Sequence, residues 1–132
     1  MSYIKSCFFS LLFIFSILII FLITGCVDTE LMTTKWNLVS INEKDLIPGT
    51  RIVLDFDEVF SGDAGFNDYN GTYEIKGNAI DFISIQRSEM ACPSPEGILE
   101  QEGLYFSLLF EVETFTYEED ILSFYVDKKP VL

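Results

Sequence analysis

The chain has no histidine, and its eight lysines and arginines stand against 21 acidic residues. Without an imidazole, Ser-His and Cys-His nucleophile pairs cannot be assembled, and acid-base work near neutral pH loses its usual group. A zinc site of the common Cys and His type is excluded on the same ground. The formal charge of -13 comes with no basic stripe, so nothing would release counterions from a phosphate backbone, and no nucleic acid partner is expected. The Gly-x-Ser-x-Gly elbow, the Walker phosphate loop and the dinucleotide Gly-x-Gly-x-x-Gly are also missing. The reading is a non-enzymatic protein with no cofactor and no metal.

Carboxylates are plentiful. Asp55, Asp57 and Glu58 cluster at a strand end, and Glu118, Glu119 and Asp120 at a turn, so a paired-acid glycosidase is formally allowed. Acidic turns are ordinarily solvated surface, however, and spacing reveals no aromatic platform for a sugar. Trp36, the single tryptophan, sits on an alternating strand and reads as a core residue.

With 132 residues, 49% apolar and 15% aromatic, the chain can build one packed core and not two. The first 25 residues do not belong to it. Lys5 is followed from Phe8 to Ile23 by a run interrupted only by Ser10 and Ser16, which is the pattern of a signal peptide's basic and apolar regions. The run is short for a spanning helix, for which a retained membrane anchor is the competing reading.

The run ends in Ile23, Thr24, Gly25 and Cys26, which resembles the lipobox of bacterial lipoproteins. The resemblance implies cleavage before Cys26 and acylation of its thiol, and a multiply acylated Cys anchors durably without a spanning helix. Cleavage would leave 132 - 25 = 107 residues and a charge of 7 - 21 = -14. Residues 26–34 then read as the lipidated Cys and a tether holding the acidic domain off the membrane. Val27 stands where an Asp resembles an inner-membrane retention signal, so a cell-envelope location at an outer membrane is expected rather than the inner one.

From Lys35 to Leu132, period-2 alternation recurs in short runs between turn residues, the pattern of antiparallel sheet. TKWNLVSI, TRIVLDF, VFSGD, GTYEIK and NAIDFISI read as strands, with Lys76-Gly77-Asn78 as a hairpin turn. ETFTYE and ILSFYV form a second hairpin around Glu119-Asp120, and a last strand is as short as PVL. PSPEGILEQEGLYFSLLFEV reads as a helix to about Val112, capped by Ser94 with Pro95 in its first turn. Ile98, Leu104, Tyr105, Leu108, Leu109 and Val112 are expected on its buried face. The fold class is α+β: a small, curved, mainly antiparallel sheet or partly open barrel of about seven strands packed with one helix.

The stretch GFNDYNGTY, Gly65–Tyr73, raises two functional readings. Asp68-Tyr69-Asn70-Gly71 resembles the middle of an EF-hand calcium loop, but Phe66 and Gly77 stand where its terminal carboxylates belong. A cation site outside that pattern would draw on Asp63, Asn67 or Asp68. The same stretch, with Trp36-Asn37-Leu38 before it and Ser88–Cys92 after it, resembles the META (HslJ-like) domain over nearly all of residues 35–132. The matching motif residues are Gly65, Asn67, Tyr69, Gly71, Tyr73, Met90, Ala91 and Cys92, and the resemblance implies a motif of shape without a catalytic residue. On physical grounds the stretch reads as a structural corner, its glycines bending the backbone and Asn67 and Asn70 bonding their own turn.

Phe66 stands where many relatives have Cys. The resemblance implies that two motif cysteines pair in those relatives, in an envelope that keeps disulfides. Here Cys92 is left as a lone thiol, to be read as a small buried hydrophobe or as a reactive group. Two functions follow. One is a lipid-anchored module contacting an envelope protein, in line with the family's association with heat shock and drug tolerance; the other is a binder of a small hydrophobic or lipid-like ligand in an apolar cavity. The first expects a filled core and an exposed apolar patch, the second a void lined by aromatic side chains.

Overall fold

Alternating sequence becomes strand where one face can be buried, and the long strands over Asp68–Lys76 and Ala79–Arg87 do so here. The computed structural model describes Leu31, residues 33–90 and residues 93–132. The signal segment, the lipobox, Cys26, Ala91 and Cys92 lie outside the described residues.

The elements are β1 (Lys35–Asn37), β2 (Ser40–Ile41), β3 (Lys44–Asp45), β4 (Val53–Phe56), β5 (Phe60–Asp63), β6 (Asp68–Lys76), β7 (Ala79–Arg87), α1 (Ile98–Glu111), β8 (Thr114–Glu118), β9 (Ile121–Val126) and β10 (Lys129–Pro130). Eight of them form one antiparallel sheet in the order β1-β4-β5-β6-β7-β8-β9-β10, while β2 and β3 make a separate hairpin. Since β1 and β10 do not pair, the sheet is not closed. The expected α+β class holds, with ten strands among the described residues rather than about seven; β6 and β7, nine residues each, are longer than GTYEIK and NAIDFISI, and most others are shorter than expected. TKWNLVSI divides into β1 and β2; Leu38 carries the β1–β4 pairing one step further, donating its N–H to the Ile52 carbonyl at 2.9 Å, before β2 begins.

Both expected hairpins form. Glu119 and Asp120 join β8 to β9 with φ of 51° and 66°, the mirror-image turn whose twist matches flanking strands. The register sets Phe115 opposite Phe124. Gly77 joins β6 to β7 at φ 65°.

The pairing of β7 with β8 reaches only Ala79 and Thr114, and α1, which connects them in the chain, packs on β7 and on the core. Its buried residues are Ile98, Glu102, Tyr105, Phe106, Leu108 and Leu109. Leu104, expected inward, is exposed at 44%; it lies about 100° of helix from Tyr105 and so off the buried stripe. The cap also differs from expectation. Gly97 occupies the N-cap at φ 84° with no side-chain cap bond, and Pro95 precedes it, accepting the Ile98 N–H at 3.2 Å. A left-handed turn at Gly97 redirects the chain between Pro95 and the helix, which removes Ser94 from capping reach.

The core fills with aromatics. Phe60 and Phe82 meet edge to face with centroids 4.9 Å apart, and Phe56 meets Tyr73 in the same way at 5.0 Å, the geometry ring quadrupoles favour. Leu31, Phe115, Phe124 and Val112 complete this cluster. The core therefore begins ahead of Lys35, inside the stretch expected to be tether.

Candidate binding cleft

Only Gly65, Phe66 and Asn67 of the GFNDYNGTY stretch form a corner; Asp68 to Tyr73 run inside β6. Gly65 adopts φ 105°, and its N–H is held by Asp63 Oδ1 at 2.7 Å. Gly71 has no positive φ and sits between Phe60 and Ile85 in the ladder. Asn70 is an exposed strand residue that bonds no turn of its own.

The corner is tied to the helix by Glu102, whose side chain is 1% exposed. Its Oε1 accepts the N–H groups of Phe66 at 2.8 Å and Asn67 at 2.6 Å, and its Oε2 accepts Asn67 Nδ2 at 2.8 Å. Asn67 Oδ1 in turn accepts the Met90 N–H at 2.9 Å. Thus one buried carboxylate and one buried amide join α1, the corner and the segment that follows β7. Sequence reasoning missed Glu102, although its position four after Ile98 and three before Tyr105 places it on the buried stripe. Asp63 and Asn67, considered as cation ligands, are committed to these bonds. Among the described residues no cluster of three or more His, Cys, Asp or Glu could hold a metal.

Tyr69 Oη donates to the Val53 carbonyl at 2.7 Å and lies 2.7 Å from Tyr105 Oη, which therefore donates to it. Burial raises both hydroxyls well above the ordinary tyrosine range; the neighbouring Tyr105 adds to the effect at Tyr69, and the bond to Tyr69 partly offsets it at Tyr105. An acid whose pKa is raised by folding stabilises the fold fully below its unfolded value of 10.0. Above that pH the unfolded chain loses protons the folded chain keeps, so stability falls with rising pH. The expected slope is about 1.4 kcal/mol per pH unit for each such group. Tyr105→Phe is expected to cost about 1 kcal/mol at neutral pH and to flatten the alkaline slope by about one group. Urea midpoints between pH 7 and about pH 12 check this, and equal slopes in both proteins would refute it.

Tyr105 also forms part of the wall of a cleft of about 410 Å³. The cleft follows from the unclosed sheet: β1 at one edge and β9–β10 at the other approach without pairing. Trp36, Leu38, Ile52 and Leu54 line one side, and Leu122, Phe124, Val131 and Leu132 the other. The β2–β3 hairpin bridges the gap, with Asn42 N–H donating to the Val131 carbonyl at 2.8 Å. Trp36, expected in the core, is only half-buried here, edge-on to Tyr117 at 5.5 Å. Its buried Nε1 has no acceptor among the described residues. Val39 and Ile121, 81% and 64% exposed, also line the cleft, so apolar surface continues from its wall out to solvent. Glu43 and Asp120, both exposed, are among its lining residues, whereas Asp55, Asp57 and Glu58 are not.

An open antiparallel sheet packed with one helix, with an apolar cleft at its seam, defines a small α+β module. The chain belongs to the META domain family, whose model matches residues 29–132. Two solved NMR structures are similar. One has a TM-score of 0.64 at 16% identity over 81% of this chain and 92% of that one; the other, of a protein from Burkholderia xenovorans, has a TM-score of 0.60 at 24% identity over 74% and 77%. No curated protein matches the chain. At these identities the likeness shows the fold. The match takes in 92% of the first solved chain, and residues Leu31–Leu132 form one compact unit here.

Proposed function

We propose that this chain is a non-enzymatic binding module that takes a small hydrophobic or lipid-like ligand into the cleft at its sheet seam, held at the cell envelope by acylated Cys26. The observation that carries the reading is the cleft itself, about 410 Å³ with mainly apolar walls, within the range of about 300–1,000 Å³ for small-molecule sites. The aromatic core beneath is already filled, so the ligand space lies at the seam rather than in the sheet's centre. The walls present aliphatic side chains with a few aromatics, a composition suited to an alkyl chain. Each buried methylene contributes about 0.8 kcal/mol, against an association cost of at least about 4 kcal/mol. A single medium-length chain is therefore expected to bind with a Kd in the micromolar range or weaker.

The absence of histidine supports a role without general acid-base chemistry. The lipobox at Ile23–Cys26 supports lipid anchoring, and Val27 directly after it supports an outer-membrane destination. A second reading, contact with an envelope protein, draws on exposed Val39 and Ile121, which a partner's apolar side chain would cover.

The test uses the segment Val27–Leu132, secreted and purified without detergent. Native mass spectrometry is expected to show a bound mass that denaturation releases. Since Trp36 is the sole tryptophan and lines the cleft, titration with n-decanol is expected to shift its emission, and Leu38→Glu to abolish the shift without unfolding the domain. A clean apo mass together with unchanged emission up to ligand saturation would sink the reading and favour the protein partner.

A further inference from the structure

We infer that the cleft selects cationic, amine-bearing single-chain amphiphiles over neutral and anionic ones, through the carboxylates of Glu43 and Asp120 on its wall. This rests on the cleft reading above and adds the head-group class of the ligand.

Among the charged side chains of the described lining residues there are only these two acids; no Lys or Arg lines the cleft. Neither acid is in an ion pair among the described residues, where the two pairs present are Lys35 with Asp55 and Lys76 with Glu74. Asp120 Oδ1 accepts the Tyr117 hydroxyl at 3.0 Å, which orients the carboxylate and leaves its charge uncompensated. Lys129 shares with Glu43 the lining of an adjoining depression, yet forms no ion pair with it. Each acid sits in a two-residue hairpin turn, Asn42-Glu43 between β2 and β3 and Glu119-Asp120 between β8 and β9, with φ of 62° at Glu43 and 66° at Asp120.

The consequence is electrostatic. Apolar walls beside two unpaired carboxylates favour a ligand with an alkyl body and an ammonium head, and charge complementarity sets selectivity more than raw affinity. A fatty acid carboxylate would meet like charges at the cleft and a chain of net charge -13 around it, and both repel it. The cleft's single small volume fits one chain.

Three ligands of equal chain length separate head group from body: n-decylammonium, n-decanol and n-decanoate, each titrated below its micellar concentration at pH 7 with Trp36 emission as the readout. At low salt, decylammonium is expected to bind about tenfold tighter than decanol, with decanoate weakest. The difference is expected to fade at about 1 M salt. In Glu43→Gln combined with Asp120→Asn, the preference should fall to about twofold or less while decanol binds as before. Glu43→Gly is the second variant; it relieves a left-handed φ at a turn position that favours Gly, so its Tm should not drop while it too loses preference for the amine. Glu74→Gln, on β6 and outside the cleft, should leave all three affinities unchanged.

Equal binding of the three ligands would overturn the selection and leave the cleft reading standing. A cationic preference that survives in the double variant would assign it to diffuse surface charge and overturn the inference as well. Failure of every ligand to bind would remove both the inference and the reading beneath it.

Discussion

Glu102→Ala is expected to destabilise the domain by about 4 kcal/mol, enough to leave a marginal fold partly unfolded at room temperature. The carboxylate accepts three hydrogen bonds in a buried site, from the Phe66 and Asn67 backbone and from Asn67 Nδ2. Truncation strands all three donors away from water, and an unmade buried bond costs more than a made one contributes. Glu102→Gln is the sharper comparison. One oxygen still serves the two backbone donors, but the new amide nitrogen faces Asn67 Nδ2, donor against donor. Rotating the Asn67 amide would remove that conflict and create another, because Asn67 Oδ1 is held by the Met90 N–H at 2.9 Å. Glu102→Gln is therefore expected to cost about 1–3 kcal/mol, less than the alanine variant. Urea unfolding followed by circular dichroism measures both, with an unchanged m-value required for the comparison. A loss below about 1 kcal/mol in Glu102→Ala would show that water or neighbouring groups replace the carboxylate, and the lock between helix and corner would not stand.

Gly71→Ala is expected to be about as damaging, costing about 3 kcal/mol or more. A Cβ at this position would run into the Ser84 carbonyl oxygen of β7 and lie 2.6 Å from the Phe60 ring. Neither can yield cheaply. Ser84 pairs with Thr72 next to the register shift between Thr72 and Tyr73, and Phe60 has no exposed surface and packs on Tyr69, Tyr73 and Phe82. The glycine is needed for space. Gly103 supplies the control, since a Cβ there would meet nothing within 4 Å in the middle of α1. Gly103→Ala is expected to stabilise by about 0.5–1 kcal/mol through helix propensity alone. Opposite shifts in thermal midpoint for the two substitutions would support the steric account. Shifts of the same sign would reject it.

The two positions show how the site was partly legible. Gly71 and Asn67 were picked out of the sequence as motif residues, but their reading as a self-contained corner failed because their partners are distant in sequence: Ser84 and Phe60 for the glycine, Glu102 and Met90 for the asparagine. Glu102 carried a usable signal, its place on the buried stripe of α1, against the ordinary rule that carboxylates face water. The cleft carried almost none. Trp36, Leu38, Leu122 and Val131 read as alternating strand residues, and alternation cannot distinguish a residue pressed against a neighbour from one beside an empty seam.

What the sequence determined by itself was local. Period-2 runs, Gly77 in one turn, Glu119-Asp120 in another and an apolar stripe from Ile98 to Val112 specified the order of elements, the α+β class and membership of the META family. Each of these depends on contacts within a few residues or on a pattern repeated along one element. The tertiary structure alone decided that β1 and β10 do not pair, that a cleft opens between them with Glu43 and Asp120 on its wall, and that a buried carboxylate locks the corner to the helix. Those features depend on how sheet twist and the packing of α1 bring together strands distant in sequence. Such long-range geometry emerges only when all strands are laid side by side, because a face pattern says which side chains turn inward and not which surfaces will meet.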